Sequence, residues 1–315
     1  MTAERKQERP VAVIAALIGN ALIAVTKGFA ALVTGSGALL AETAHSIADT
    51  LNQVLLYVGV QRSQGGPSER YPLGRGKERY FWALVVALML FFGGGVFSLV
   101  EAWDRARTEH PVESVAIGLA VLGASAIFEA ASFSFALREA LEAARGEGLG
   151  IRGLVFGLSD PALRTVLMED SAALVGLLIA ALGLIGTAVT GNEMFDVFGS
   201  ASIGLLLVSV AILLAADARG LIIGESPRAS VRAELHRVVA ERPNVETVHE
   251  LRAVRFGVDR LLVLGRVGVR PSMDAAEVAR VLADVRQAIT EARPEVIEVI
   301  VDVDVPREAN APAST

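Results

Sequence analysis

The chain has 315 residues, 53% of them hydrophobic, and a mean hydropathy of +0.51, too apolar for an ordinary soluble domain. Its net charge of -6 provides no basic field for nucleic acid. The absence of cysteine excludes disulfides, thiolate metal sites and cysteine nucleophiles, so any metal must take His nitrogen and oxygen ligands.

The charged start MTAERKQERP leads into an apolar run too long for a signal-peptide core, with no convincing cleavage site before Thr34. It is expected to be a retained first span. A hydrocarbon core of roughly 30 Å needs about 20 apolar helical residues. Six segments meet that demand, at about 11–33, 37–60, 81–100, 112–137, 161–189 and 195–216. Positive charge in the connections alternates. Arg5, Lys6 and Arg9 precede the first span, five Arg or Lys lie between Arg62 and Arg79, and four Arg between Arg138 and Arg164; the TGSG and TGNEM connections have none. The retention of Lys and Arg on the inner side predicts both termini in the cytoplasm. Ser159 or Asp160 can cap the fifth helix and Pro161 suits its first position. Gly93, Gly94 and Gly95 either allow close helix approach in the third span or weaken it.

After about residue 220 the pattern becomes soluble. Ser226 and Pro227 open a helix with Val231, Leu235, Val238 and Val239 at helical spacing. Strands follow at about 245–256 and 260–269, then a helix with Val278, Leu282, Val285 and Ile289, and a last strand at 296–303. The expected organisation is a tail at 1–10, a six-helix transmembrane domain at 11–220, a cytoplasmic αββαβ domain of ferredoxin-like or metallochaperone-like type at 221–306, and a disordered tail at 307–315. A two-layer unit this small leaves a sheet edge or face that invites a second copy.

Ionisable groups within spans are costly and usually face a cavity with a functional role. Asn20, Asp49, Glu129, Glu169 and Asp170 fall within roughly 5 Å of one another in depth, at about 1.5 Å of rise per residue. His45 and Asp49, four apart, share one face of the second helix, and Glu42 and Asn52 extend that stripe. A His and a carboxylate so spaced can grip one divalent cation, with Asp170 and Glu169 from the fifth helix completing the set. A single such residue is equally well explained by a hydrogen bond between helices; the clustering favours a cation pathway. Glu129 fits a structural acid or a proton carrier as well as a ligand, and Lys27 is expected to snorkel.

HSIAD at 45–49, PLGRGKERYFWAL at 72–84, the Glu169–Asp170 pair, six spans and an αββαβ tail together resemble the cation diffusion facilitator transporters, over residues 11–305. The resemblance implies a homodimer that exports Zn2+ or a related ion, commonly in exchange for protons. It implies a site with two ligands from the second helix and two, four apart, from the fifth. His45, Asp49 and Asp170 match; the remaining ligand position falls on Val166, which cannot coordinate. The pattern looks most like the mitochondrial zinc-transporter-like branch, where a Glu-Asp pair replaces the spaced pair, with Glu129, Asn52 or water as other sources of the last ligand.

The loop site that many members carry falls on Tyr71 and Arg75, poor ligands. VHELR at 248–252 resembles the tail motif, making His249 with Asp302 or Asp304 a candidate second metal site, which exposed polarity explains equally well. His236 and His110 are expected to be surface residues. The expected function is therefore a membrane-embedded Zn2+/H+ antiporter of the bacterial inner membrane, with Fe2+, Co2+ or Mn2+ as alternative cargo and no enzymatic activity. The alternative is a non-transporting scaffold or regulatory protein whose intramembrane polar residues only lock the bundle.

Overall fold

The computed structural model describes residues 10–108, 111–146, 161–258 and 260–304; His110, the Ser159–Asp160 cap and the tail at 307–315 lie outside them. Among these residues two compact units form, one from the chain up to Gly65 with Glu78–Arg219, the other from Gly66–Lys77 with Gly220 onward.

The first unit is a helix bundle: α1 (Pro10–Thr34), α2 (Gly37–Ser63), α3 (Glu78–Arg105), α4 (Val115–Gly146), α5 (Pro161–Thr190) and α6 (Met194–Ile223), whose last residues run into the second unit. Five of the six are long and apolar enough to cross a membrane. The exception, α2, has the length at 27 residues but carries the polar stripe of Glu42, His45, Asp49 and Asn52. Large apolar side chains such as Leu32, Ile127, Phe135 and Val189 cover the outside, as a lipid-facing surface requires. The interior draws on all six helices and is half alanine, including Ala30, Ala41, Ala87, Ala172, Ala180 and Ala211, the rest being Leu and Ile such as Leu39, Leu122 of α4 and Ile203. Small side chains let helix backbones approach closely where lipid gives no hydrophobic push between helices.

The start of α2 is fixed with unusual care. Ser36 caps it, accepting from Leu39 N at 3.1 Å. Asp196, in the first turn of α6, accepts from Ser36 Oγ at 2.5 Å and from Gly37 N at 2.6 Å. These contacts satisfy amide donors that a helix start leaves orphaned. Gly35 before the cap has φ +67°, a backbone state that favours glycine, and its carbonyl accepts from Arg105 of α3.

The run Leu90–Val96 within α3 is a π-helical segment that includes all three glycines. They do different things. A Cβ on Gly95 would lie 2.6 Å from Val208 Cγ2 and 3.0 Å from Val208 N of α6, and Gly204 of α6 is similarly tight against Leu99. A Cβ on Gly93 would meet nothing within 4 Å. Close approach thus explains Gly95, and Gly93 only loosens the helix.

The second unit consists of α7 (Ala229–Ala240), β1 (Thr247–Gly257), β2 (Arg260–Gly268), α8 (Ala275–Ala292) and β3 (Val296–Asp304). The sheet order is β1-β2-β3; β1 and β2 are an antiparallel hairpin, while β3 joins β2 in parallel. A parallel neighbour needs a crossover, which α8 supplies. Asp274 and Glu277 start α8 with a reciprocal capping box. Leu235 and Val239 of α7, Val281, Val285 and Ile289 of α8, and Val263, Val299 and Val301 of the sheet form its core. Ser226 and Pro227 precede α7 instead of opening it, since Arg228 is the cap residue.

Residues 66–77, which join α2 to α3, count with this unit. Lys77 Nζ donates to the Ile222 carbonyl at 3.1 Å and lies 5.3 Å from the Phe256 ring centroid. Arg75 stacks 4.6 Å from the Tyr71 ring centroid, so both residues are used in packing.

Gly95→Ala is expected to destabilise the bundle by about 1 to 3 kcal/mol, the usual effect of overpacking. Gly93→Ala should be neutral or slightly stabilising, because it gains about 1 kcal/mol of helix propensity without a clash. Thermal unfolding of the detergent-solubilised variants distinguishes the two.

Candidate metal centre

The stripe on α2 faces inward, as its polarity demands. Glu42, His45 and Asn52 are buried, and Asp49 is 14% exposed at its side chain. His45 Nε2 stands 3.5 Å from Asp49 Oδ2 across one helical turn. Neither ring nitrogen of His45 has a hydrogen-bond partner, and Asp49 Oδ1 and Asn52 Oδ1 have none either. Buried polar atoms in a folded chain are normally hydrogen-bonded, so four unused donors and acceptors along one helix face mark a place built for something else.

Opposite them, α5 carries Glu169 and Asp170, both buried. Consecutive helical residues diverge by about 100°, and the two acids are accordingly divided. Glu169 turns to α2, where its Oε1 accepts from Asn52 Nδ2 at 2.7 Å. Asp170 turns to α4, where its Oδ2 accepts from Ser132 Oγ at 2.9 Å. Val166 packs beside Leu56 and Val86 and beside Leu167 and Ala136, filling apolar space.

A third group forms around Lys27, and here the expectation of a snorkelling lysine is overturned. Lys27 is fully buried. Its ammonium donates to Glu42 Oε2 at 3.1 Å and Ser46 Oγ at 2.8 Å, and stands 3.8 Å from Glu129 Oε1. The side chain turns inward, and two carboxylates supply the counter-charge that water would otherwise provide. Asn20, two turns earlier on the same face of α1, is half-buried.

The structure thus brings the residues singled out from sequence into three sets: His45 with Asp49, Glu169 with Asn52, and Glu42 and Glu129 with Lys27. Asp170 stands with Ser132. Among the described residues no three His, Asp or Glu side chains lie close enough together to hold a metal ion. In the second unit, His249 is exposed on β1 and its Nε2 lies 3.1 Å from Thr247 Oγ1. Asp302 and Asp304 are on β3, and β2 runs between the two strands, a separation of about 9.6 Å at 4.8 Å per strand. These three are not brought together, and His236 is exposed on α7.

Ser46, Ser132 and Gly176 were not singled out from sequence. Ser46 lies four residues after Glu42 and Ser132 three after Glu129, spacings that place each on its acid's face. That signal was available. Gly176 had none, since its role is only to leave room for Glu42 Oε1, which a Cβ there would overlap.

The family model for the cation efflux transmembrane domain matches residues 13–223. The chain is 31% identical over 284 residues to the mitochondrial proton-coupled zinc antiporter SLC30A9 of Xenopus laevis, covering 88% of this chain and 51% of that protein. It is 35% identical over 215 residues to metal tolerance protein C4 of Arabidopsis thaliana, covering 68% of this chain and 47% of that one. It is 24% identical over 310 residues to the manganese efflux system protein MneP of Bacillus subtilis, covering 96% and 98%. The chain therefore spans about half the length of the first two relatives. The resemblance carried by HSIAD, the 72–84 motif and the Glu-Asp pair is borne out: this multi-pass membrane protein belongs to the cation efflux, or cation diffusion facilitator, family, close to its SLC30A9 branch.

Proposed function

We propose that the chain is a Zn2+/H+ antiporter that exports the ion from the cytoplasm, working as a homodimer in a bacterial inner membrane with both termini inside. Its transmembrane domain would be 11–220 and its dimerising cytoplasmic domain 221–306. The zinc site is formed by His45 and Asp49 of α2 with Asp170 and Glu169 of α5. One observation carries this reading above the others. In tetrahedral zinc sites with bonds of about 2.1 Å, neighbouring ligand atoms stand about 3.4 Å apart. His45 Nε2 and Asp49 Oδ2 are 3.5 Å apart, and the nitrogen has no hydrogen bond to lose. The pair already has the separation of two zinc ligands.

The relatives' names support the cargo: proton-coupled zinc for the SLC30A9 protein of Xenopus laevis and manganese for MneP. Mixed nitrogen and oxygen donors without thiolate suit Zn2+, with Fe2+, Co2+ and Mn2+ as competitors. Protons couple through the ligands themselves. To bind metal, His45 must be neutral and the carboxylates ionised, so binding releases protons and acid on one side drives metal off there. Rocking of α2 against α5 exposes the site to each side in turn, the usual logic of a midplane site. The site at His249, Asp302 and Asp304 would need a ligand set from more than one strand or from a second copy.

Zinc uptake into vesicles reconstituted with the full chain, driven by a pH gradient, tests this. His45→Ala and Asp49→Ala are each expected to weaken zinc binding beyond the roughly 10- to 100-fold that loss of a supporting residue produces, and to abolish exchange. If both variants transport at the wild-type rate while the dimer persists, the transport-site proposal is wrong; a folded, dimeric wild-type chain that exchanges no zinc leaves the scaffold alternative standing. Asn52→Leu should separate the roles further. It leaves Glu169 without its donor, which costs about 1 to 3 kcal/mol of stability, yet it keeps the His45–Asp49 pair and measurable exchange. The zinc affinity of the wild-type chain is expected to fall as pH drops from 8 to 5.5, by about tenfold per pH unit for each proton displaced; an affinity independent of pH rules out competition at the ligands.

A further inference from the structure

Lys27 raises a question that packing does not answer. An ammonium held in a lipid-embedded bundle costs several kcal/mol to desolvate even when paired, and a Met or Leu fills similar space at no such cost. Lys27 and Glu42 nevertheless have no exposed side-chain surface. Glu42 is also only half used. Its Oε2 meets the ammonium at 3.1 Å, whereas its Oε1 is buried without a hydrogen-bond partner and faces Gly176 of α5, where a Cβ would overlap it. Ser46 Oγ at 2.8 Å and Glu129 Oε1 at 3.8 Å complete the surroundings of the ammonium. Two carboxylates and a hydroxyl around one positive charge form an oxygen donor set for a divalent cation, and the idle oxygen gives that set capacity beyond what a lysine uses. Along α2, Glu42 lies about 4.5 Å from His45 and about 10.5 Å from Asp49 at 1.5 Å per residue, on the side of the α1–α2 turn.

We infer that Glu42, Ser46 and Glu129 form a second cation station beside the His45–Asp49 pair, towards the α1–α2 turn, and that Lys27 Nζ is its tethered occupant, displaced when a divalent cation enters. This rests on the transport reading. A departing cation passes from His45 and Asp49 to the station, and the flexible lysine stem returns the ammonium to the carboxylates once the ion has left. The station is never left as an uncompensated pair of buried charges, and the returning ammonium opposes re-entry of the ion.

Calorimetric titration of the full-length protein in detergent with Zn2+ alone tests the inference. Wild type and Lys27→Arg are expected to bind one equivalent per protomer, lost in His45→Ala. Lys27→Ala is expected to bind two. The added equivalent should persist in Lys27→Ala/His45→Ala and vanish in Lys27→Ala/Glu42→Gln. A folded Lys27→Ala that binds no added equivalent overturns the proposal and leaves Lys27 as a counter-ion only. Should Lys27→Ala fail to fold, Lys27→Met, which keeps most of the stem's volume without the charge, carries the same comparison, its added equivalent supporting the station and its lack overturning it. Absence of the His45-dependent equivalent in wild type counts against the transport site instead, and the Glu42-dependent equivalent is still read independently.

Discussion

The buried ion pair between Lys27 and Glu42 ties α1 to α2 at a depth where water cannot compensate either charge. Its members cannot separate without exposing an unpaired charge to hydrocarbon or to another partner, so the two helices are held at one register. The same ammonium reaches Ser46 on the next turn of α2 and stands near Glu129 of α4. Three helices are thereby fixed around one point, one turn from His45. The backbone is arranged to permit it: a Cβ on Gly28, next to Lys27, would meet Thr43 of α2 at only 3.2 Å.

With that register set, α2 can carry a stripe of polar atoms that would otherwise be untenable in a span. It is the least apolar helix of the bundle, and its stability comes from neighbours. Ser36 and Asp196 hold its first turn, while Asn52 finds Glu169 towards its other end. Between these anchors lie His45 and Asp49, whose remaining polar atoms are unsatisfied. An unsatisfied buried acceptor costs about 1 to 3 kcal/mol. Helix ends held by several hydrogen bonds are what allows the middle of α2 to keep such atoms idle.

The sequence carries much of this, and what it hides has a physical cause. Spans follow from run length, and the strands and helices of the second unit from β-rich runs and helical spacing, because these depend on residues near in sequence. The stripe on α2 follows from spacings of three and four. Lys27 was misjudged because snorkelling and burial differ only in which way the chain's neighbours turn, and its partners Glu42 and Glu129 are 15 and 102 positions away. That Glu169 and Asp170 diverge follows from the roughly 100° between neighbouring helical residues, but which acid meets α2 depends on the rotation of α5, which no local pattern encodes. Gly176 serves a side chain on another helix, so nothing around it in the sequence marks it out.

That division also bears on how a site could be assembled. Glu169 faces α2 through Asn52 and Asp170 faces α4 through Ser132, so each acid occupies a hydrogen bond of its own. Turning Asp170 towards His45 and Asp49 means giving up the Ser132 contact, and a turn of about 100° would carry Glu169 away from Asn52. The rotated arrangement of α5 forgoes both hydrogen bonds, so a dication that favours it must offset that loss through the additional carboxylate it meets. A ligand shifts such an equilibrium only by its differential affinity for the two states. On the proposed reading, then, the departure at Val166 is more than a missing ligand: placing both acids in adjacent positions makes rotation of α5, and not only rocking against α2, the motion that changes the coordination of the ion.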